Sequence, residues 1–207
     1  VLTPGAIYIG GRVAVDAAGF ITCVGCDCDV PSATRITCPS GVVSPGLINT
    51  HEHITFTQNW PYTPTEERYE HRHDWRRGND GHTEINSAGG ATANQVRWGE
   101  LRFLMGGATS IVGSGSATGI LRNLDRADQE GLGQPQVNFD TFPLGDTQGG
   151  ELESGCNYPS MVTEADIAAE DAYCPHVAEG IETSARNEFI CLHTDPNDVV
   201  QPQSAFI

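Results

Sequence analysis

The stretch Ser44-Pro45-Gly46-Leu47-Ile48-Asn49-Thr50-His51-Glu52-His53 decides how the rest of the chain is read. A Pro-Gly turn leads into a short apolar run that ends in two histidines, two residues apart. Side chains alternate between the faces of a strand, so His51 and His53 are predicted on one side, with Leu47 and Asn49 behind them. Two imidazoles converging at a strand end can chelate one divalent cation such as zinc or iron. The spacing alone equally fits a polar strand face that carries two histidines and no metal.

Upstream, residues 1–44 hold short apolar runs at 6–9, 12–15 and 20–24, punctuated by Gly10-Gly11, Gly19 and Gly25. They predict a β meander too small for an independent core. Downstream, residues 55–90 form a long polar loop carrying a second His-x-His, His71 and His73, and also His82. Its neighbours are charged and lack strand character, so substrate contacts or loop ion pairs are favoured over metal ligation there. A solvated charge cluster is the competing reading.

Beyond the loop, Val96, Leu101, Leu104 and Met105 form a stripe that predicts a helix over 93–105, closed by Gly106-Gly107. A strand is predicted at 109–112, then a Gly-Ser turn at 113–116 that is read as structural rather than as a phosphate cradle. A helix over 120–130 and a strand over 137–142 follow. After a glycine-rich loop at 143–162, Thr163 opens a capped helix. Residues 173–178 read as a strand and 181–192 as a helix. Alternating strands and helices predict parallel βα units.

Three motifs in this order resemble the amidohydrolase superfamily. Pro45 to His53 fit its Pro-Gly-hydrophobic-hydrophobic-Asn/Asp-x-His-x-His signature position by position. Gly106-Gly107-Ala108-Thr109-Ser110-Ile111-Val112 is similar to the second-strand Gly-x-Thr-Ser/Thr element, and His176-Val177-Ala178-Glu179-Gly180 to the His-x-x-Glu strand end of the deaminase-like branch. The resemblance implies an α/β fold: a small N-terminal β-sandwich portion, 1–44, and a (β/α)8 TIM-type barrel, of which 45–207 is the N-terminal part. It also implies one divalent metal, zinc or iron, held by His51, His53 and His176, with Glu179 as the catalytic proton carrier. Read from residues alone, His176 is a core histidine and Glu179 a helix N-terminal carboxylate.

All eleven basic residues are arginine and there is no lysine, against 27 acidic residues. The family members that bridge two metals use a carboxylated lysine, so the mononuclear arrangement is the one this chain can build. A net charge of -16 disfavours nucleic acid and anionic membranes as partners. No apolar run approaches the roughly 18 residues of a membrane span.

Four of the seven cysteines, Cys23, Cys26, Cys28 and Cys38, lie within the first 40 residues. Disulfides in an oxidising, extracytoplasmic compartment are favoured over a structural metal site, with free core thiols as the third reading. The function expected from these features is a metal-dependent hydrolase cleaving a C–N bond of a small-molecule substrate, by deamination or cyclic-amide opening. The alternative is a non-catalytic amidohydrolase-like binding or structural protein. Since a full barrel needs roughly 250 residues, the resemblance further implies a second chain or a C-terminal segment that completes the barrel and supplies the metal-binding aspartate.

Overall fold

The computed structural model describes the chain apart from residues 60–62, 64–65, 114, 116, 118–119 and 128–132. It divides into two compact units, Val1–Leu47 and Ile48–Ile207.

In the first unit, β1 (Arg12–Val15) and β2 (Ile21–Gly25) form one antiparallel hairpin. Asp16 fixes its turn: the amides of Ala18 and Phe20 both donate to Asp16 Oδ1 at 2.9 Å, and Gly19 takes the left-handed conformation at φ 89°. A carboxylate that captures two nearby amides substitutes for ladder hydrogen bonds at the reversal. The only apolar side chain this unit buries is that of Cys28, and Ile9 and Ile36 are 87% and 88% exposed. A disulfide joins Cys23 to Cys28, linking β2 to the segment behind it. This hairpin, with one further bridge between Leu2 and Ile7, is not a β-sandwich.

The second unit carries the remaining elements. Strands β3 (Leu47–Asn49), β4 (Ala108–Ile111) and β5 (Arg122–Asn123) form one sheet; β6 (Asn138–Asp140) and β7 (Tyr173–Pro175) form another. The β4–β5 and β6–β7 pairings are parallel. Residues 203–207 run beside β7 in parallel, with Ala205 N donating to Tyr173 O and Ile207 N to Pro175 O. The expected TIM-type barrel is overturned: the sheets have two or three strands, and none closes among the described residues.

Two causes are visible. The strands are only two to four residues long here, and the helix expected over 120–130 is absent from its described part. There Asn123 Nδ2 donates to Leu121 O at 3.1 Å and to Glu100 Oε1 at 3.3 Å, and Leu124 N donates across to Ile111 O at 2.8 Å. An asparagine side chain bonded to nearby backbone offers an alternative to helical bonding, and Arg122–Asn123 is used as a strand instead. Residues 128–130 of the expected helix, and residues 114 and 116 of the Gly-Ser turn, lie outside the described residues.

Helix formation is better matched. The short α1 (Arg72–Arg77) is followed by α2 (Ala93–Met105), which begins at Thr92 with a capping box to Gln95. The chain leaves α2 through Gly107, at φ 93°, a left-handed position that glycine adopts without strain. α3 (Glu164–Ile167) starts on a Thr163–Asp166 capping box, and α4 (Thr183–Cys191) follows β7. Ile54, Val96, Ile111 and Leu121 make one core under α2. Leu144, Ile167, Tyr173, Cys191 and Leu192 make the other, where a second disulfide joins Cys156 to Cys191.

Candidate metal centre

β3 ends at Asn49, so His51 and His53 lie just beyond the strand rather than on it. The side chain of Asn49 turns the chain there, accepting from His51 N at 3.2 Å, while Val112 O accepts from Glu52 N at 2.9 Å. His176 follows β7 directly and is tied to the neighbouring strand by His176 N donating to Asp140 O at 2.8 Å. Strand ends separated by more than 120 residues in sequence thus deliver three imidazoles to one point. Their centroids are 4.9 Å (His51–His53), 4.6 Å (His51–His176) and 5.2 Å (His53–His176) apart. One ring nitrogen from each lies within 4.8 Å of the other two.

These residues fit a divalent ion. His51 Nε2 is buried and has no hydrogen-bond partner among the described residues. A buried acceptor or donor left unpaired costs about 1–3 kcal/mol, and a metal ligand bond relieves it. Burial, reinforced by His176 and His51, lowers the His53 pKa to about 4 against the opposing charge of Glu179. Burial and His176 lower His51 in the same direction. Neutral imidazoles at physiological pH are the form that binds metal.

Glu179 stands beside the triad. Its Oε2 lies 3.0 Å from His176 Nδ1 and accepts from Arg72 Nη1, also at 3.0 Å. Burial opposes ionisation, but the hydrogen bond to His176 and the Arg72 guanidinium outweigh it and hold the carboxyl at about 2. Facing an ionised carboxylate, Nδ1 of His176 carries the proton and Nε2 is left as the ligand atom, an orienting arrangement common behind metal-bound histidines. Ala178, at φ 55°, turns the chain between His176 and Glu179 so that the carboxylate reaches back. Such a conformation is uncommon for a residue with a Cβ.

Within the charged loop at 69–77, His71 to Asp74 are buried rather than solvated. Arg72 is 4% exposed and His73 0%. Arg72 pairs through Nη2 with Asp146 Oδ2, and Asp146 Oδ2 also meets His73 Nε2 at 2.7 Å. His73 Nδ1 accepts from Arg76 Nη1 at 2.7 Å. His71 Nε2 lies 2.9 Å from Glu188 Oε1 on α4, and His71 Nδ1 accepts from His73 N at 3.2 Å. Both rings are therefore engaged by hydrogen bonds to carboxylates; the sequence reading sets substrate contacts or loop ion pairs above metal ligation for this loop. His82 bonds Glu67 Oε1 at 2.9 Å. Asp146 and Glu188 were not legible as partners of this loop, because neither carries a local signal and the contacts join residues 73 to 117 apart in the chain.

A cleft of about 290 Å³ opens on His51 and His53, lined also by Glu52, Phe56, Thr57, Asn59 and Arg102. Arg102 Nη2 donates to Thr57 Oγ1 at 2.8 Å. Burial raises the Glu52 carboxyl above its ordinary value, opposed by its bond to the His53 amide. Of the cysteines in the first unit, Cys23 and Cys28 are bonded, while Cys26 and Cys38 are exposed free thiols. No helix among the described residues is long and apolar enough to cross a membrane.

No family model, curated protein or solved structure matches this chain.

Proposed function

We propose that this chain is a metal-dependent hydrolase of the amidohydrolase type, acting on a C–N bond of a small molecule by deamination or cyclic-amide opening. The observation that carries the reading is the convergence of His51, His53 and His176 to within 4.8 Å, with His51 Nε2 buried and unpartnered among the described residues. Three protein ligands with room for a fourth group characterise catalytic rather than structural zinc sites. One zinc or iron ion bound there would bring the pKa of water towards about 7 and polarise the scissile carbon.

The chain's own residues have separable tasks in this reading. His51 and His53 present neutral ring nitrogens at the floor of the cleft. Glu179 fixes the tautomer of His176, and Arg72 fixes Glu179. Because Glu179 Oε2 is shared by His176 and Arg72, its first task is positioning; carrying a proton would require those bonds to loosen. Arg102 and Asn59 supply a charge and an amide at the cleft wall for orienting a polar substrate. The two disulfides fit an extracytoplasmic location.

The test is metal content followed by turnover. Purified protein should hold one equivalent of zinc or iron, and His53→Ala and His176→Ala should each hold less than a tenth of that while remaining folded by circular dichroism. The loaded protein should release ammonia or open rings across a panel of aminated heterocycles and cyclic amides. Metal uptake without turnover on any of them would favour a binding protein, and unaltered uptake in both variants would remove the site.

A further inference from the structure

A second cluster of charged groups lies outside the histidine triad, and the reading above does not use it. A carboxylate oxygen of Asp74, one of Asp80 and one of Glu151 lie within 4.8 Å of one another. They come from α1, from the turn that follows it, and from the 143–162 loop. Asp74 is 1% exposed. Its Oδ2 accepts from the amides of Glu70 and His71 at 2.8 Å each, and its Oδ1 is buried with no partner among the described residues. Glu151 Oε1 accepts from Asn79 Nδ2 at 2.7 Å and lies 3.2 Å from His71 Nδ1. Asp80 is exposed and completes the set from the solvent side.

Three carboxylates at this separation repel one another, and the two imidazoles at hand reach only oxygens that are already bonded. His71 is engaged by Glu188, and His82 Nε2 stands 3.6 Å from Asp74 Oδ2, on the oxygen that is already bonded. An unpaired carboxylate oxygen in a buried residue is costly unless something positive meets it. Oxygen-only ligands drawn from a helix, a turn and a loop, with one open side for water, suit a hard cation of variable coordination number. A tetrahedral soft-metal site would need imidazole or thiolate instead.

We infer that Asp74, Asp80 and Glu151 bind a calcium ion, separate from the metal at His51, His53 and His176. Calcium bound there ties the 143–162 loop to α1, and with it Asp146 to Arg72. The site also draws on the acidity of a chain of net charge -16.

Terbium luminescence tests this, because Trp75 adjoins Asp74 in sequence and can sensitise a bound lanthanide. The full chain should give Trp-sensitised terbium emission that calcium displaces, with affinity in the range of about 10⁻⁴ M or tighter. Asp80→Asn and Glu151→Gln should each weaken calcium by roughly tenfold or more, as ligand charge is lost. Asp80→Asn is the decisive variant, since the residue is exposed and asparagine tolerates its left-handed backbone. A His51→Ala/His53→Ala double variant should leave the terbium signal intact, which separates this site from the triad. Absent emission, emission unchanged in Asp80→Asn and Glu151→Gln, or emission lost in the histidine double variant would each overturn the assignment.

Discussion

Arg72 and Glu179 are joined twice: Arg72 N donates to Glu179 O at 2.9 Å, and Arg72 Nη1 donates to Glu179 Oε2 at 3.0 Å. The first bond fixes the backbone of the turn after β7 against α1, and the second fixes the carboxylate that orients His176. The same guanidinium holds Asp146. One buried arginine therefore links the candidate metal centre to the loop that carries Asp146.

Replacing Arg72 should be severe. Arg72→Met leaves Asp146, a side chain with no exposure, without its cationic partner. Removing one member of a buried ion pair costs about 3–5 kcal/mol. Urea unfolding should show a loss of that size, and Arg72→Lys should recover little of it, because one ammonium cannot reproduce the fork that reaches two carboxylates. A loss under about 1 kcal/mol would contradict the buried network.

Glu179 variants separate positioning from proton transfer. If the carboxylate orients His176, Glu179→Ala should weaken zinc binding by about 10–100-fold. Glu179→Gln, which still accepts from Nδ1, should restore most of that affinity. A proton carrier predicts another pattern: zinc affinity preserved in both variants, with turnover down by roughly 10²–10⁴-fold in both.

Gly180 is held by space. A Cβ there would lie 2.8 Å from Glu70 O, 2.8 Å from His71 Cδ2 and 2.9 Å from Ala185 Cβ. Two of those neighbours are backbone or a buried ring and cannot step aside. Gly180→Ala should cost about 1–3 kcal/mol, the usual penalty of overpacking, and should weaken metal binding by shifting Arg72 from Glu179. Thermal unfolding indistinguishable from the parent would show that the close approach is not maintained in solution.

Asp146 sets an acid limit. Burial works against its ionisation, yet the hydrogen bond from His73 and the charge of Arg72 carry its pKa below the ordinary 3.8. A depressed carboxyl pKa stabilises the fold above the unfolded value, and that contribution disappears as pH falls through the folded value. The stability difference between the parent and Asp146→Asn should be constant from pH 7 to about 5 and shrink as the medium is acidified below 3.8. A difference that stays flat down to pH 3 would show that Asp146 is not held ionised.

The Cys156–Cys191 bridge spans 35 residues. Chain-entropy arguments give such a loop about 3–4 kcal/mol. Cys156→Ser should lose an amount of that order, and thiol counting on the unfolded, unreduced parent should find three free cysteines: Cys26, Cys38 and Cys174. Five or seven would remove one or both bridges.

Local features of this protein were legible in its sequence because the forces behind them are local. The capped helix at Ala93–Met105, the Thr163 cap, the β1 and β2 runs and a disulfide among the first four cysteines follow from periodicity, capping chemistry and short loop closure. His51 and His53 were readable together for the same reason. Their convergence with His176 came from the likeness of three motifs, and the fold that likeness implied did not follow: the sheets stay open and short. A strand closes into a barrel only through pairings whose free energy depends on every other strand, and no local pattern reports that sum. The Arg72, Asp146 and Glu188 contacts, the orphaned oxygen of Asp74 and the Cys156–Cys191 bridge were decided by tertiary structure alone. The contacts and the bridge join residues dozens of positions apart, and burial, not sequence spacing, sets which charges meet and which are left unpaired.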